Sequence, residues 1–377
     1  MQIEDRGIIF DATLRPGPEK VASFTSLCTT SSGSIFAIFQ VGPAKQAPNS
    51  TICICRSRDD GHTWEELGVR FKTDIAGIPG SLCAGEMVEC EPGRLLLIST
   101  WFNRSDPQRP LFDALTDGIL PSKQLTTFST DDGDSWSLWQ ELATAGLKGC
   151  SSTGPIAKWA DGTIAFPFES YKEFDDPKPA THGAWLLRSI DGGRTFGQPI
   201  LVAQHPQHEV YFWDQRMCTG KFPGEFIALF WTFDRKNKKD LPVHMLTAAL
   251  DNGSTQHRSM VQTIIPGQIA APLLMEDGRL FAFVVNRNEQ STMTLWSSVD
   301  GGTTWPHQLV VYVHDEKAVL EQGNENINYE QYWEEMGKWS FGHPAMRALG
   351  NGKILLAHYA GSPHCMSIHW IRVNVAR

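Results

Sequence analysis

The densest chemistry in the chain lies in VYFWDQRMC, residues 210–218. Asp214 and Arg216 stand two apart, which on an extended strand puts them on one face, with Trp213 and Gln215 on the other. A carboxyl so placed can exchange protons or orient the arginine. The planar guanidinium fork suits an anionic or hydroxyl-rich ligand. The same two residues would equally serve as an ion pair lining an interior channel. Other stretches have the same character. FWTFDR offers Trp231 for stacking on a ligand ring such as a sugar, with Asp234 and Arg235 beyond it. Glu169 ends FPFES, and Glu86 sits inside LCAGEMVEC. A carboxyl among apolar neighbours is hard to explain by packing, because its burial is costly unless it is paired. Either residue fits a general acid with a raised pKa. His343, in FGHPAMR, can relay protons, hydrogen-bond a hydroxyl, or be a satisfied interior histidine. Arg287, in VVNRNEQ, and Tyr359, beside His358 in LLAHYAG, are candidates for binding a ligand.

Composition narrows the field. The formal net charge is -9 over 377 residues. That argues against a general nucleic-acid surface, which needs dense Lys and Arg. No apolar run approaches the roughly 20 residues of a membrane span. The start, MQIEDRGIIF, lacks a basic segment followed by a long apolar core. The eight cysteines show no Cys-x-x-Cys pair and no zinc spacing. They read as buried free thiols in a reducing compartment, so the expected location is cytoplasmic. No cofactor, metal or phosphate loop is expected.

Positioning such residues requires a scaffold, and the scaffold is written as a repeat. SRDDGHTW (57–64), STDDGDSW (129–136), SIDGGRTF (189–196) and SVDGGTTW (298–305) share the pattern Ser-x-Asp-x-Gly-x-Thr/Ser-aromatic. A worn copy at 249–256 keeps Asp251, Gly253 and Thr255. The Asp can accept hydrogen bonds from its own turn, the Gly supplies positive φ, and the aromatic ring tucks against nearby strands. Upstream lie turn-plus-apolar runs such as SSGSIFAIF, EPGRLLLIS and EDGRLFAFVV. Counting six of them predicts an all-β chain: a six-bladed β-propeller of four-stranded antiparallel blades, forming one domain over 1–377. The last unit lacks an outer strand, which the N-terminus around Gly7–Phe10 can supply, removing free edges.

The octapeptides are Asp-boxes (BNR repeats), and with six blades the chain resembles the sialidase (neuraminidase) superfamily over nearly its whole length. The resemblance implies a glycan-binding mouth on the face away from these turns. It also implies a nucleophilic Tyr paired with a Glu, an Asp acid/base and an arginine triad. Here Ser23 stands where the first arginine is expected, His343 where the Tyr is expected, and Gln215 near the Glu, with Asp214 beside it. Arg235 and Arg287 are candidates for the remaining arginines. The loop 40–50 shows no convincing acid/base Asp.

The expectation is therefore a glycan-active enzyme, a glycoside hydrolase for an acidic or polyhydroxylated sugar. Asp214, Glu169, Glu86 and His343 would be its catalytic candidates. Arg216, Arg235, Arg287, Trp231 and Tyr359 would bind substrate. A lectin-like propeller without chemistry, or a lyase acting on uronates, are the alternatives. The long insertions 102–124 and 315–338 are expected to wall the pocket or to make oligomer contacts.

Overall fold

The computed structural model describes residues 1–113, 115–116, 118–179, 181–251, 253–288, 290–315 and 339–376. The Glu- and aromatic-rich segment 324–339 therefore lies outside the described residues, except for Trp339. Among the described residues the chain is all-β, with two short 3-10 turns at Ala12–Leu14 and Gly17–Glu19.

The strands form antiparallel groups that follow chain order. The 80–142 group contains Gly80–Glu91, Arg94–Asn103, Ser122–Ser129 and Gln140–Leu142. The 210–262 group contains Val210–Thr219, Glu225–Asp234, Lys239–Asp251 and Ser254–Gln262. The 270–313 group contains Ala270–Leu274, Leu280–Asn286, Thr292–Ser298 and His307–Val313. In the 151–203 group the first strand is split into Ser151–Ser152 and Ala157–Lys158, and both pieces pair with Ile164–Ser170. The largest sheet joins two groups, 21–66 and 341–374, through one parallel pair, Val21 with Met366. The N-terminal strand Gln2–Phe10 pairs antiparallel with Cys365–Asn374, from Gln2 opposite Asn374 to Phe10 opposite Ile368. It starts earlier than the sequence suggested.

Second strands such as Ile35–Gly42 and Leu280–Asn286 are buried at every residue. This explains their continuous apolar runs, since both faces are covered. The cover comes from neighbouring groups. Ile38 and Ile54 pack with Leu82 and Leu97 of the next group. Phe166 and Leu187 pack with Leu96 and Ile98 of the previous one. Phe39 and Val41 pack with Leu355 and Ile368 of the last. First strands also lie side by side: Val21–Thr29 neighbours both Gly80–Glu91 and Phe341–Leu349, and Ala270–Leu274 neighbours both Val210–Thr219 and Phe341–Leu349.

The octapeptides hold these groups in two ways. Within each turn, Ser57 Oγ donates to Asp59 Oδ1 (2.8 Å) and accepts from Gly61 N–H (2.9 Å). Asp59 also accepts from the backbone N–H and hydroxyl of Thr63, and Trp64 Nε1 donates to Gly61 O. The same bonds recur around Asp131 and Asp300. They hold Asp59, Asp131, Asp191 and Asp300 down to about 2. Each turn also reaches the preceding group. A Cβ on Gly133 would meet Phe36, one on Gly193 would meet Leu96, and one on Gly302 would meet Met245. One on Gly61 would meet Leu355, in the last group. The carbonyl before the glycine accepts from an arginine of the same neighbour: Arg56 to Asp132 O at 2.6 Å, Arg94 to Gly192 O at 2.7 Å, and Arg372 to Asp60 O. The turn thus joins groups as well as clipping its own hairpin. The worn copy is a tight hairpin with Asp251 opposite Ser254, tied backwards by Thr255 Oγ1 donating to Leu201 O.

Candidate functional site

Four first strands carry a register irregularity near their start: between Ser23 and Ser26, Cys83 and Gly85, Trp213 and Arg216, and Gly342 and Ala345. Each holds one non-glycine residue at positive φ: Phe24 at 56°, Ala84 at 52°, Asp214 at 47° and His343 at 55°. Such a backbone costs on the order of 1–3 kcal/mol per residue and persists where surrounding structure enforces it. A bulge also re-aims the side chain it carries. All four residues line one cavity.

The walls of this cavity are aromatic: Phe24, Phe102, Phe112, Tyr171, Trp213, Trp231 and Trp339. Leu111, Phe112 and Ile119 come from the insertion 102–124, so that insertion does wall the pocket. Trp213 stands edge-on to Trp231 with ring centres 4.9 Å apart. Trp231 Nε1 donates to Asp240 at 2.8 Å, which fixes the ring.

Among the described residues, two carboxyl groups face the cavity. Glu169 ends a second strand, and Asp214 sits on the bulge of the next group's first strand. Burial pushes Glu169 up to about 8, against hydrogen bonds from the Tyr171 hydroxyl and the Asp214 backbone N–H. His182 Nε2 lies 3.0 Å from Glu169 Oε2. Burial also holds His182 down to about 3, so this histidine is neutral. Burial raises Asp214 to about 7, opposed by Arg216 and reinforced by Glu169. Arg216 Nη2 is 3.8 Å from Asp214 Oδ1.

Arg216 is itself buried and donates to Pro344 O (3.2 Å) and to His343 Nε2 (2.7 Å). A guanidinium has no acceptor, so His343 Nε2 must be the acceptor. Nδ1 then carries the proton and donates to Thr25 O at 2.9 Å. Burial and Arg216 hold His343 well below the ordinary imidazole value. Glu86 is not in the cavity wall. It is buried, feels Arg216 and Arg347, and is raised by burial to about 7.

The other candidates lie outside the cavity lining, but Lys45 and Arg287 back onto its Phe24 and Trp339 rings. Tyr359 accepts from Lys45 Nζ at 2.8 Å, and Lys45 also sits over the rings of Phe24, Trp339 and Tyr359. Burial lowers the lysine. The lysine and Arg287 together draw the Tyr359 phenol below its ordinary value, against the effect of burial. Arg287 donates to Phe341 O through Nε and Nη2 and lies over the Trp339 ring at 4.5 Å. Arg235 stacks over Tyr211 at 4.9 Å, and Asp234 caps the turn at Asn237, outside the cavity wall. Sequence reasoning missed His182, Tyr171 and Lys45. The only signal for Lys45 was a lone cation in the otherwise uncharged loop GPAKQAP.

No protein-family profile matches the sequence, and no curated protein matches it. Solved structures do match. A protein of unknown function from Dyadobacter fermentans matches with TM-score 0.72 at 16% identity, covering 100% of this chain and 99% of that one. The Hadza microbial sialidase Hz136 matches with TM-score 0.68 at 16% identity over 95% of this chain. Trypanosoma rangeli sialidase, in complex with sialic acid, matches with TM-score 0.63 at 11% identity over 98%. The chain spans 66% and 58% of the lengths of these two sialidases. With bulged first strands, octapeptide joints and this likeness along nearly its whole length, the chain has the fold of the sialidases.

Proposed function

We propose that the protein is a glycoside hydrolase built as a closed six-bladed propeller in one domain, with Glu169 and Asp214 as its working carboxyl pair. The neighbour relations of the first strands support closure, as does the docking of the Gly61 turn onto Leu355 of the last group. The observation that carries the functional reading is the pair itself: two raised carboxyls in one aromatic-walled cavity. Glu169, protonated at neutral pH, donates its proton to the leaving glycosidic oxygen. Asp214, held toward its ionised form by Arg216, acts on the opposite side of the bond, on water or on the sugar carbon. Trp213, Trp231 and Tyr171 offer faces for a sugar ring. His343 positions Arg216, because its only free lone pair is already taken. Glu86 stays out of the reaction.

The test is turnover of sialosides, uronates and neutral glycosides by the wild-type chain, Glu169→Gln and Asp214→Asn. Turnover by the wild type and a loss of about 10²–10⁴-fold in each variant is expected. Turnover that survives both substitutions would sink the assignment. Glycan binding without turnover would instead make the protein a binding module.

A further inference from the structure

The first strands continue past the cavity, and their far ends surround a second, open depression. Its wall takes residues from every strand group: Cys28, Met87, Ile156, Cys218, Leu273 and Arg347. These lie roughly four residues beyond the cavity residues of the same strands. At about 3.3 Å per residue, that is on the order of 13 Å away.

Arg347, half-buried, is the feature with donors to offer a ligand. Its only hydrogen bond among the described residues runs from Nη1 to the carbonyl of its neighbour Met346, at 3.0 Å. No carboxylate among the described residues lies within ion-pair distance of it. Glu89, on the same rim, is engaged by Ser31 N–H, Ser31 Oγ and Gly93 N–H. Lys158, also on the rim, donates to a backbone carbonyl, Glu89 O, at 2.7 Å, so the lining holds two cations, Arg347 and Lys158, against the one carboxylate of Glu89. Glu86 attracts Arg347 from inside the channel but makes no ion pair with it.

We propose that this far depression is a second ligand site that takes a small oxoanion, phosphate or sulfate, on the Arg347 fork. A guanidinium with unused parallel N–H donors matches two oxygens of such an anion. Lys158 adds positive potential at the rim. The site is separate from the carboxyl-pair cavity, and its test does not depend on activity.

The experiment is calorimetric titration of the full chain with sodium phosphate and with sodium sulfate at low ionic strength, alongside the Tm shift each produces. One site per chain and a raised Tm are expected. Arg347→Gln should weaken binding at least tenfold and abolish the Tm shift. Thr219→Glu, which leaves Arg347 in place and sets a carboxylate on the rim, should do the same. Circular dichroism confirms that each variant is folded. If the wild type shows neither heat nor Tm shift, or both variants bind as the wild type does, the proposal is overturned.

Discussion

At the scale of residues, the candidate chemistry depends on burial without neutralisation. Glu169 at about 8 and Asp214 at about 7 titrate within a narrow window. The proposed reaction needs Asp214 ionised and Glu169 protonated. So kcat/KM should rise through about pH 7 and fall through about pH 8, with the two limbs belonging to the coupled pair. Asp214→Asn should remove the rising limb from whatever activity remains. A flat profile between pH 6 and 9 would disprove the pairing. Glu86 makes a stability prediction of its own. Its folded pKa of about 7 stands above the ordinary 4.5, so the folded state binds the proton more tightly. Stability is then highest below about pH 4.5 for this group and falls as pH climbs to about 7. Glu86→Gln should remove its share of the dependence, on the order of 3 kcal/mol between pH 5 and 8, read as the difference from the wild type in urea unfolding, while Glu169 and Asp214 keep theirs. Asp59, Asp131, Asp191 and Asp300 have the opposite sign: the stability they supply is present above about pH 4 and is lost as pH falls toward 2.

At the scale of elements, the octapeptide turn was readable because its bonds are local. Ser57, Asp59, Gly61 and Thr63 satisfy one another within a few residues, so type and spacing carried the structure. Asp214, Glu169 and Trp231 were readable as polar or aromatic residues at strand ends, where the cavity lies. Lys45 was not, because its meaning comes from Tyr359 and Trp339, far away along the chain, nor was His182, whose meaning comes from the burial it shares with Glu169. The left-handed residues at Phe24, Ala84 and His343 left no compositional mark, since a bulge is enforced by pairing. The cross-group role of the turn was equally hidden. Trp305 allows a direct test. It is buried at 3% exposure and donates to Gly302 O, so Trp305→Ala should cost about 3–5 kcal/mol in urea unfolding. Trp64 and Trp136, which are only half-buried, should cost less. Equal losses at all three would show that the ring is not what secures the turn.

At the scale of the whole molecule, the N-terminal strand matters most. Phe10 is buried at 2% exposure and meets Phe39 with ring centres 5.1 Å apart. It thereby ties the strand paired with Cys365–Asn374 to the 21–66 group. Phe10→Ala should cost about 3–5 kcal/mol and lower Tm without changing the pH limbs of activity, which a thermal melt and a rate profile would check together. The docking of each octapeptide on its predecessor has a further consequence. A turn and its receptor, such as Gly302 with Met245 or Gly133 with Phe36, belong to different repeats. A lineage that duplicated or exchanged a single repeat would separate the turn from the surface it fits. A repeat therefore fits only beside a neighbour with the matching surface, so the repeats of this chain are not interchangeable one at a time.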